Sequence, residues 1–214
     1  MKAVHLVQEI PPSQIGERLR DERIRKKMTA REIARRVGVS PSLISQIERN
    51  KVNPSVSTLW SLVTVLGISM GDLFAEVDAE PRHVAGPRVV AAGPDTPTTK
   101  PGERAVIYLE QGVMWERLTA DRDAMVEFLT ITYPPGAASC DENSLVRHSG
   151  KEYGYVLKGV LRVQIGFDEY ELRQGMAISF DASSPHRLSA TGEQTVEALW
   201  VVVGRQSDGR ALVL

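Results

Sequence analysis

Cysteine is almost missing from this chain: 214 residues carry one, Cys140. A single thiol excludes an intrachain disulfide and a zinc site built from several thiolates. Cys140 reads as a small buried residue rather than a redox sensor. No run of eighteen apolar residues exists, so no membrane-crossing helix is expected. The start, Met1-Lys2-Ala3-Val4-His5, lacks the apolar stretch of a secretory signal, and a cytoplasmic location is expected. Neither sign of charge dominates, since 26 Lys and Arg face 27 Asp and Glu for a net charge of −1. What matters is therefore where the charge sits. No internal repeat or low-complexity tract interrupts a composition that is 42% hydrophobic and 25% charged, ordinary for a soluble globular protein.

What is present begins with Thr29 to Arg49, which reads as two short helices joined by a tight turn. Thr29 is placed to cap the first helix, with Glu32 as its capping-box partner and Ile33, Ala34 and Val37 as the buried stripe. Gly38 supplies the positive φ that ends this helix, and Ser40-Pro41 supplies an N-cap with proline at the first position of the next. In the second helix Leu43, Ile44 and Ile47 face inward. Pro41, Ser42, Ser45, Gln46 and Arg49 are left outward, and with Arg31 and Lys51 they form the expected DNA-contacting set. A preceding amphipathic helix, Ile15 to Met28, is expected to turn Ile15, Leu19 and Ile24 inward. Two more helices, Ser57 to Leu66 and Ser69 to Phe74, follow the turn at Asn50-Lys51-Val52-Asn53-Pro54-Ser55.

Across residues 13–60 eleven basic residues meet five acidic ones, so the segment is +6. That local field suits phosphate neutralisation. These helices, caps and turn, over residues 13–76, resemble the XRE or lambda-repressor-like helix-turn-helix family, which implies a five-helix domain that binds a double-stranded DNA operator.

After residue 78 the periodicity changes. Pro81, Gly86-Pro87, Gly93-Pro94, Pro97 and Pro101-Gly102 mark a semi-extended linker, with one short strand expected at Arg88 to Ala91. From Arg104 onward nine short strands are expected: Ala105 to Leu109, Val113 to Leu118, Val126 to Tyr133, Glu152 to Leu157, Val160 to Ile165, Glu169 to Leu172, Met176 to Ser179, His186 to Ser189 and Val196 to Val203. Such spacing predicts an all-β barrel or sandwich. The expected organisation is an α plus all-β two-domain protein: residues 1–78 DNA-binding, 79–103 linker, 104–214 sensor.

Within the strands, His148, Glu152, Gly159, Gly175 and His186 keep the spacing of the two motifs of the cupin family, while Cys140, Val146, Asp181, Ser183 and Ala190 depart from them. The phrase E-Y-G-Y-V-L-K-G, Glu152 to Gly159, is the strongest local match. Residues 105–204 therefore resemble a cupin-type β-barrel (a double-stranded β-helix), and the whole chain resembles the XRE-cupin group of bacterial transcription regulators. The resemblance implies a metal centre of His148, Glu152 and His186, a two-histidine, one-carboxylate set suited to Fe, Mn, Zn or Ni. A plainer account leaves both histidines as hydrogen-bonded pocket residues, with Glu152 satisfied by Arg162, Arg187 or a tyrosine.

Arg162 and Tyr155 are the candidate effector-pocket residues, and Arg147, Arg162 and Arg187 are candidates to clamp an anion. The expected function is a DNA-binding regulator whose barrel senses a small-molecule or metal effector. It is expected to act as a homodimer on a pseudo-palindrome, paired through apolar strand surface such as Ala198 to Val203. The alternative is a non-haem iron oxygenase or epoxidase with an inherited helical domain, because phosphonate epoxidases of the cupin group share the same spacing of His, Glu and His.

Overall fold

A computed structural model describes residues 15–74, 97–120, 123 and 125–204. The linker strand expected at Arg88 to Ala91 lies outside them. The helices are α1 (Gly16–Arg25), α2 (Ala30–Val37), α3 (Pro41–Glu48), α4 (Val56–Leu66) and α5 (Met70–Phe74). The local sequence accounts for each boundary of the central pair. Thr29 Oγ1 accepts from the Glu32 amide at 3.1 Å, and Ser40 Oγ does the same for Leu43 at 3.1 Å. Each satisfies an N–H that the first turn of a helix leaves without an intrahelical partner. Gly38 ends α2 at φ +82°, a conformation that costs a residue with a Cβ about 1–2 kcal/mol. The reciprocal half of the expected capping box is not formed. The Glu32 carboxylate instead pairs with Arg36, one turn on, at 2.6 Å.

Helix α1 departs from expectation at its end. It stops at Arg25, with Lys27 at φ +55°, and does not run to Met28. Ile24 is 53% exposed, because the position one turn after buried Leu19 is Arg23. Arg23 reaches inward to a buried Glu48 through two bonds of 2.6 and 2.8 Å. This fork locks α1 to α3, and it removes one charge of each sign, so the positive excess of the segment is unchanged.

All nine expected strands form, with bounds shifted by at most two residues: β1 (Val106–Tyr108), β2 (Met114–Arg117), β3 (Val126–Tyr133), β4 (Lys151–Lys158), β5 (Val160–Ile165), β6 (Asp168–Arg173), β7 (Ala177–Asp181), β8 (His186–Thr191) and β9 (Val196–Val203). They make an antiparallel six-stranded sheet, β1-β2-β3-β9-β4-β7, facing a three-stranded sheet, β6-β5-β8. Isolated bridges, Ala138 with Ser189 and Val146 with His186, tie in the loop before β4.

Strand alternation decides what the barrel encloses. Leu129, Ile131 and Tyr133 of β3, Val196, Ala198, Trp200 and Val202 of β9, and Glu152 and Val156 of β4 are buried. Gly154 stands opposite Trp200 in the β4–β9 pairing, and a Cβ there would overlap the indole ring. Glycine at 154 is what lets the Trp200 ring pack against β4. Gly154→Ala should therefore destabilise the protein by about 1–3 kcal/mol, the usual cost of overpacking. Urea unfolding measures this, and an unchanged midpoint would show that the ring is not held there.

Candidate functional site

The first site is the outward face of α3. Pro41, Ser42, Gln46 and Arg49 are exposed and Ser45 is half-buried, while Ile44 and Ile47 on the opposite side are sealed in the helical core. Arg31 and Lys51 are exposed as well. Arg49 folds back along its own helix, donating to the Ser45 carbonyl at 2.9 Å and the Ser45 hydroxyl at 2.8 Å. Ser45 and Arg49 thus form one unit, and the freest side chains of the face are Ser42 and Gln46.

The second site lies inside the barrel. Glu152 leaves β4 toward the interior because it shares the inward register of Val156, and His186 opens β8 from the opposing sheet. His148 arrives from the loop just before β4. The three side chains are at most 4% exposed, and one ligand atom from each lies within 4.8 Å of the others.

Both rings have their Nδ1 against a carbonyl, His148 on Ser149 at 3.0 Å and His186 on Ser184 at 2.9 Å. A carbonyl has no proton to give, so Nδ1 carries the hydrogen and, in the neutral ring, the Nε2 lone pair is free. Glu152 Oε1 stands 2.8 Å from His148 Nε2 and 3.6 Å from His186 Nε2. Yet among the described residues no aligned hydrogen bond reaches His148 Nε2. Two lone-pair donors and a carboxylate oxygen converging without a proton aligned between them is an arrangement that a shared cation satisfies, so the residues fit a divalent metal.

The protonation states agree with this. Burial pushes the Glu152 carboxyl up, but contact with His148, the nearby His186 and the Trp200 indole N–H outweigh it and hold the group below the ordinary carboxylate range. Burial pushes the His186 imidazole below its usual value, even beside Glu152. A carboxylate and a neutral imidazole are the forms that bind metal. Trp200 Nε1 donates to Glu152 Oε2 at 2.8 Å, so one carboxylate oxygen is anchored and the other is presented to the histidines. Burial also pushes the Tyr133 phenol up, keeping it protonated.

A cavity of about 30 Å³ adjoins Glu152 and His186 and is walled mainly by apolar side chains. Two of its residues, Val56 and Trp60, come from α4. The Trp60 ring stacks on His148 with centroids 4.0 Å apart and planes 17° apart, and meets Trp115 edge-on at 5.9 Å. The Ser57 amide, in the first turn of α4, donates to the Ser139 carbonyl at 3.0 Å, and Glu110 donates to the Pro54 carbonyl at 2.9 Å. Helix α4 is thus docked on the barrel.

Two expected pocket residues fall elsewhere. Tyr155 is 44% exposed on the outer face, because it alternates with inward Glu152 and Val156. Arg162 alternates with buried Leu161 and Val163, turns outward and approaches Glu169 at 3.8 Å. Neither lines the cavity. Arg187 does not clamp an anion there, since its Nε donates to the Cys140 carbonyl at 2.9 Å. Among the described residues no arginine satisfies Glu152, which is held by Trp200 and faces His148. Cys140 is buried, as expected.

Trp60 and Trp200 were not anticipated. For Trp200 the signal was inward alternation in Val196 to Val202. For Trp60 it was the uncharged sequence of α4, apolar at seven of its eleven positions, more than one small domain's core requires.

Two family models match the chain: a helix-turn-helix over residues 19–73 and a cupin domain over residues 129–202. The HTH-type transcriptional regulator PuuR of Escherichia coli is 28% identical over 178 residues, 82% of this chain and 87% of that protein. SutR, a second HTH-type transcriptional regulator of Escherichia coli, is 27% identical over 164 residues, 77% and 80% of the two chains. Among solved structures, an HTH_3 family transcriptional regulator from Vibrio cholerae superposes with a TM-score of 0.61 at 21% identity, over 92% of this chain and 98% of that one, and shares its fold. With these two domains in this order, the chain belongs to the XRE-type helix-turn-helix transcriptional regulators that carry a C-terminal cupin domain.

Proposed function

We propose that the protein is a sequence-specific regulator that places α3 in the major groove of an operator and whose cupin cavity senses an effector, a divalent metal or a small molecule that completes the centre of His148, Glu152 and His186. The observation that carries the reading is the division of α3 into a capped, core-locked face and a free polar face. Ser42 and Gln46 are the base readers, with Pro41, Ser45, Arg49, Arg31 and Lys51 around them as backbone and supporting contacts. Among the described residues no helix is long and apolar enough to cross a membrane, and the protein acts in the cytoplasm, where its operator is.

A second copy of the chain completes the reader, because one α3 covers only one half-site. The outer face of the six-stranded sheet supplies the surface. In strand register Phe128, Val201 and Tyr153 form one row, and Leu199 and Tyr155 the next. Such an apolar sheet face suits an isologous dimer.

Gln46→Ala and Ser42→Ala should lower operator preference by about 1–3 kcal/mol per lost base contact, whereas Lys27→Ala should weaken all DNA alike. Specific and random duplexes compared at one salt concentration measure both effects. Unchanged preference in the two α3 variants would remove this assignment of the reading face. Tyr155→Asp should turn the dimer into monomers in light scattering, and a dimer that persists unchanged would place the interface elsewhere. Protein purified without a tag should hold about one equivalent of Fe, Mn, Zn or Ni, and Glu152→Gln should lose it. If elemental analysis finds no metal in the wild type and added metals leave its melting temperature unchanged, the metal branch falls and an organic effector remains.

A further inference from the structure

We propose that Trp60 makes the cupin centre and the DNA-binding domain parts of one equilibrium: the ring is a removable wall of the effector cavity, and whatever takes up His148 or fills the cavity shifts Trp60 and α4 with it. The inference rests on the metal or effector reading given above.

Helix α4 has one continuous buried arc that serves two cores. At 100° per residue, Leu62 and Leu66 lie at one edge, Leu59 and Val63 in the middle, and Val56 and Trp60 at the other edge. Leu62 and Leu66 pack with Leu19, Ile33, Ile44 and Ile47, the residues that hold α1, α2 and α3 together. Val56 and Trp60 line the barrel cavity. A rigid helix eleven residues long cannot move one edge without the other.

The Trp60 edge is in direct contact with the centre. Its ring lies flat on His148 at 4.0 Å, and the Nε2 of that histidine is one of the buried polar atoms that have no aligned hydrogen bond among the described residues. A cation that takes this lone pair sets the tilt of His148, and the stacked indole must follow or lose its contact. The free volume of about 30 Å³ holds about two waters. An organic ligand, whose pockets usually span about 300–1,000 Å³, has room only after a wall moves. Leu129, Ile131, Tyr133 and Trp200 belong to the six-stranded sheet. Trp60 and Val56 are cavity residues held from outside it on α4, Trp60 at 6% exposure.

The test uses the full-length chain with Co(II) alone as probe, followed by its absorption bands, and the best-binding duplex selected by the wild type from a random pool. Co(II) should change wild-type DNA affinity about 5- to 150-fold, the span typical of allosteric coupling, and DNA should change Co(II) affinity by the same factor. Trp60→Ala should still bind Co(II) through its three ligands but reduce the coupling to less than about twofold, whereas Trp60→Phe, which keeps a stacked ring, should retain most of it. In the wild type, where no folding defect intervenes, Co(II) should also alter hydrogen exchange along residues 56–66. Full coupling in a folded Trp60→Ala protein, or Co(II) saturation with unchanged DNA affinity and unchanged exchange in α4, would overturn the inference while leaving the metal site standing. Failure of the wild type to take up Co(II) would overturn the metal reading, and the coupling with it.

Discussion

The stack of Trp60 on His148 is the contact on which the arrangement of the molecule turns, because it joins the two hydrophobic cores at a place where each is incomplete alone. Without the barrel, α4 would expose Val56 and an indole, a large apolar surface next to the turn that follows α3. Without α4, the barrel would open its cavity to water over a buried carboxylate. Burying both surfaces together favours docking through apolar area. The bonds from Ser57 to Ser139 and from Glu110 to Pro54 then fix the register of the contact. Those amides would otherwise need water at a closed junction.

A buried carboxylate is costly unless it is paired. Glu152 is surrounded by hydrogen-bond donors and potential metal ligands rather than by a fixed cation: Trp200 holds one oxygen, and two imidazoles face the other. That is a poor way to neutralise a structural charge and a good way to bind something transient. An arginine in the cavity would have neutralised Glu152 permanently, and the arginines near the motifs all turn away. Val146 strengthens the point. Where the cupin motif carries another histidine, a valine lines the same cavity, so one side of the centre is apolar and faces the wall that α4 completes.

Elements governed by local chemistry were legible in the sequence. Caps at Thr29 and Ser40, the turn at Gly38 and the alternation in Val126 to Tyr133 and Val196 to Val203 are short-range effects, and they appear where expected. The convergence of His148, Glu152 and His186 was legible through motif spacing. What escaped is non-local. The amphipathic pattern of residues 15–28 turns Ile24 inward, whereas in the structure the part-buried Arg23–Glu48 fork takes the inward position and Ile24 is exposed. Nearness to the motif does not bring Tyr155 and Arg162 into the cavity, because neighbouring residues of a strand face opposite ways. Trp60 belongs to a site more than eighty residues further along the chain, and no local pattern states which core a helix with an excess of apolar residues will complete.

A ligand shifts a conformational equilibrium only by its difference in affinity between the two states. In most two-domain proteins that difference must be carried across a linker. Here it arises at the binding site itself, because the docked position of α4 defines the volume and one wall of the cavity. A ligand that needs more than this space binds the docked state poorly whatever else it touches. One that fits beneath the indole and holds His148 in its stacked tilt binds the docked state better. On the proposed reading, the same centre would strengthen or loosen the attachment of the reading domain according to ligand size, and the sign of regulation would be a property of the ligand.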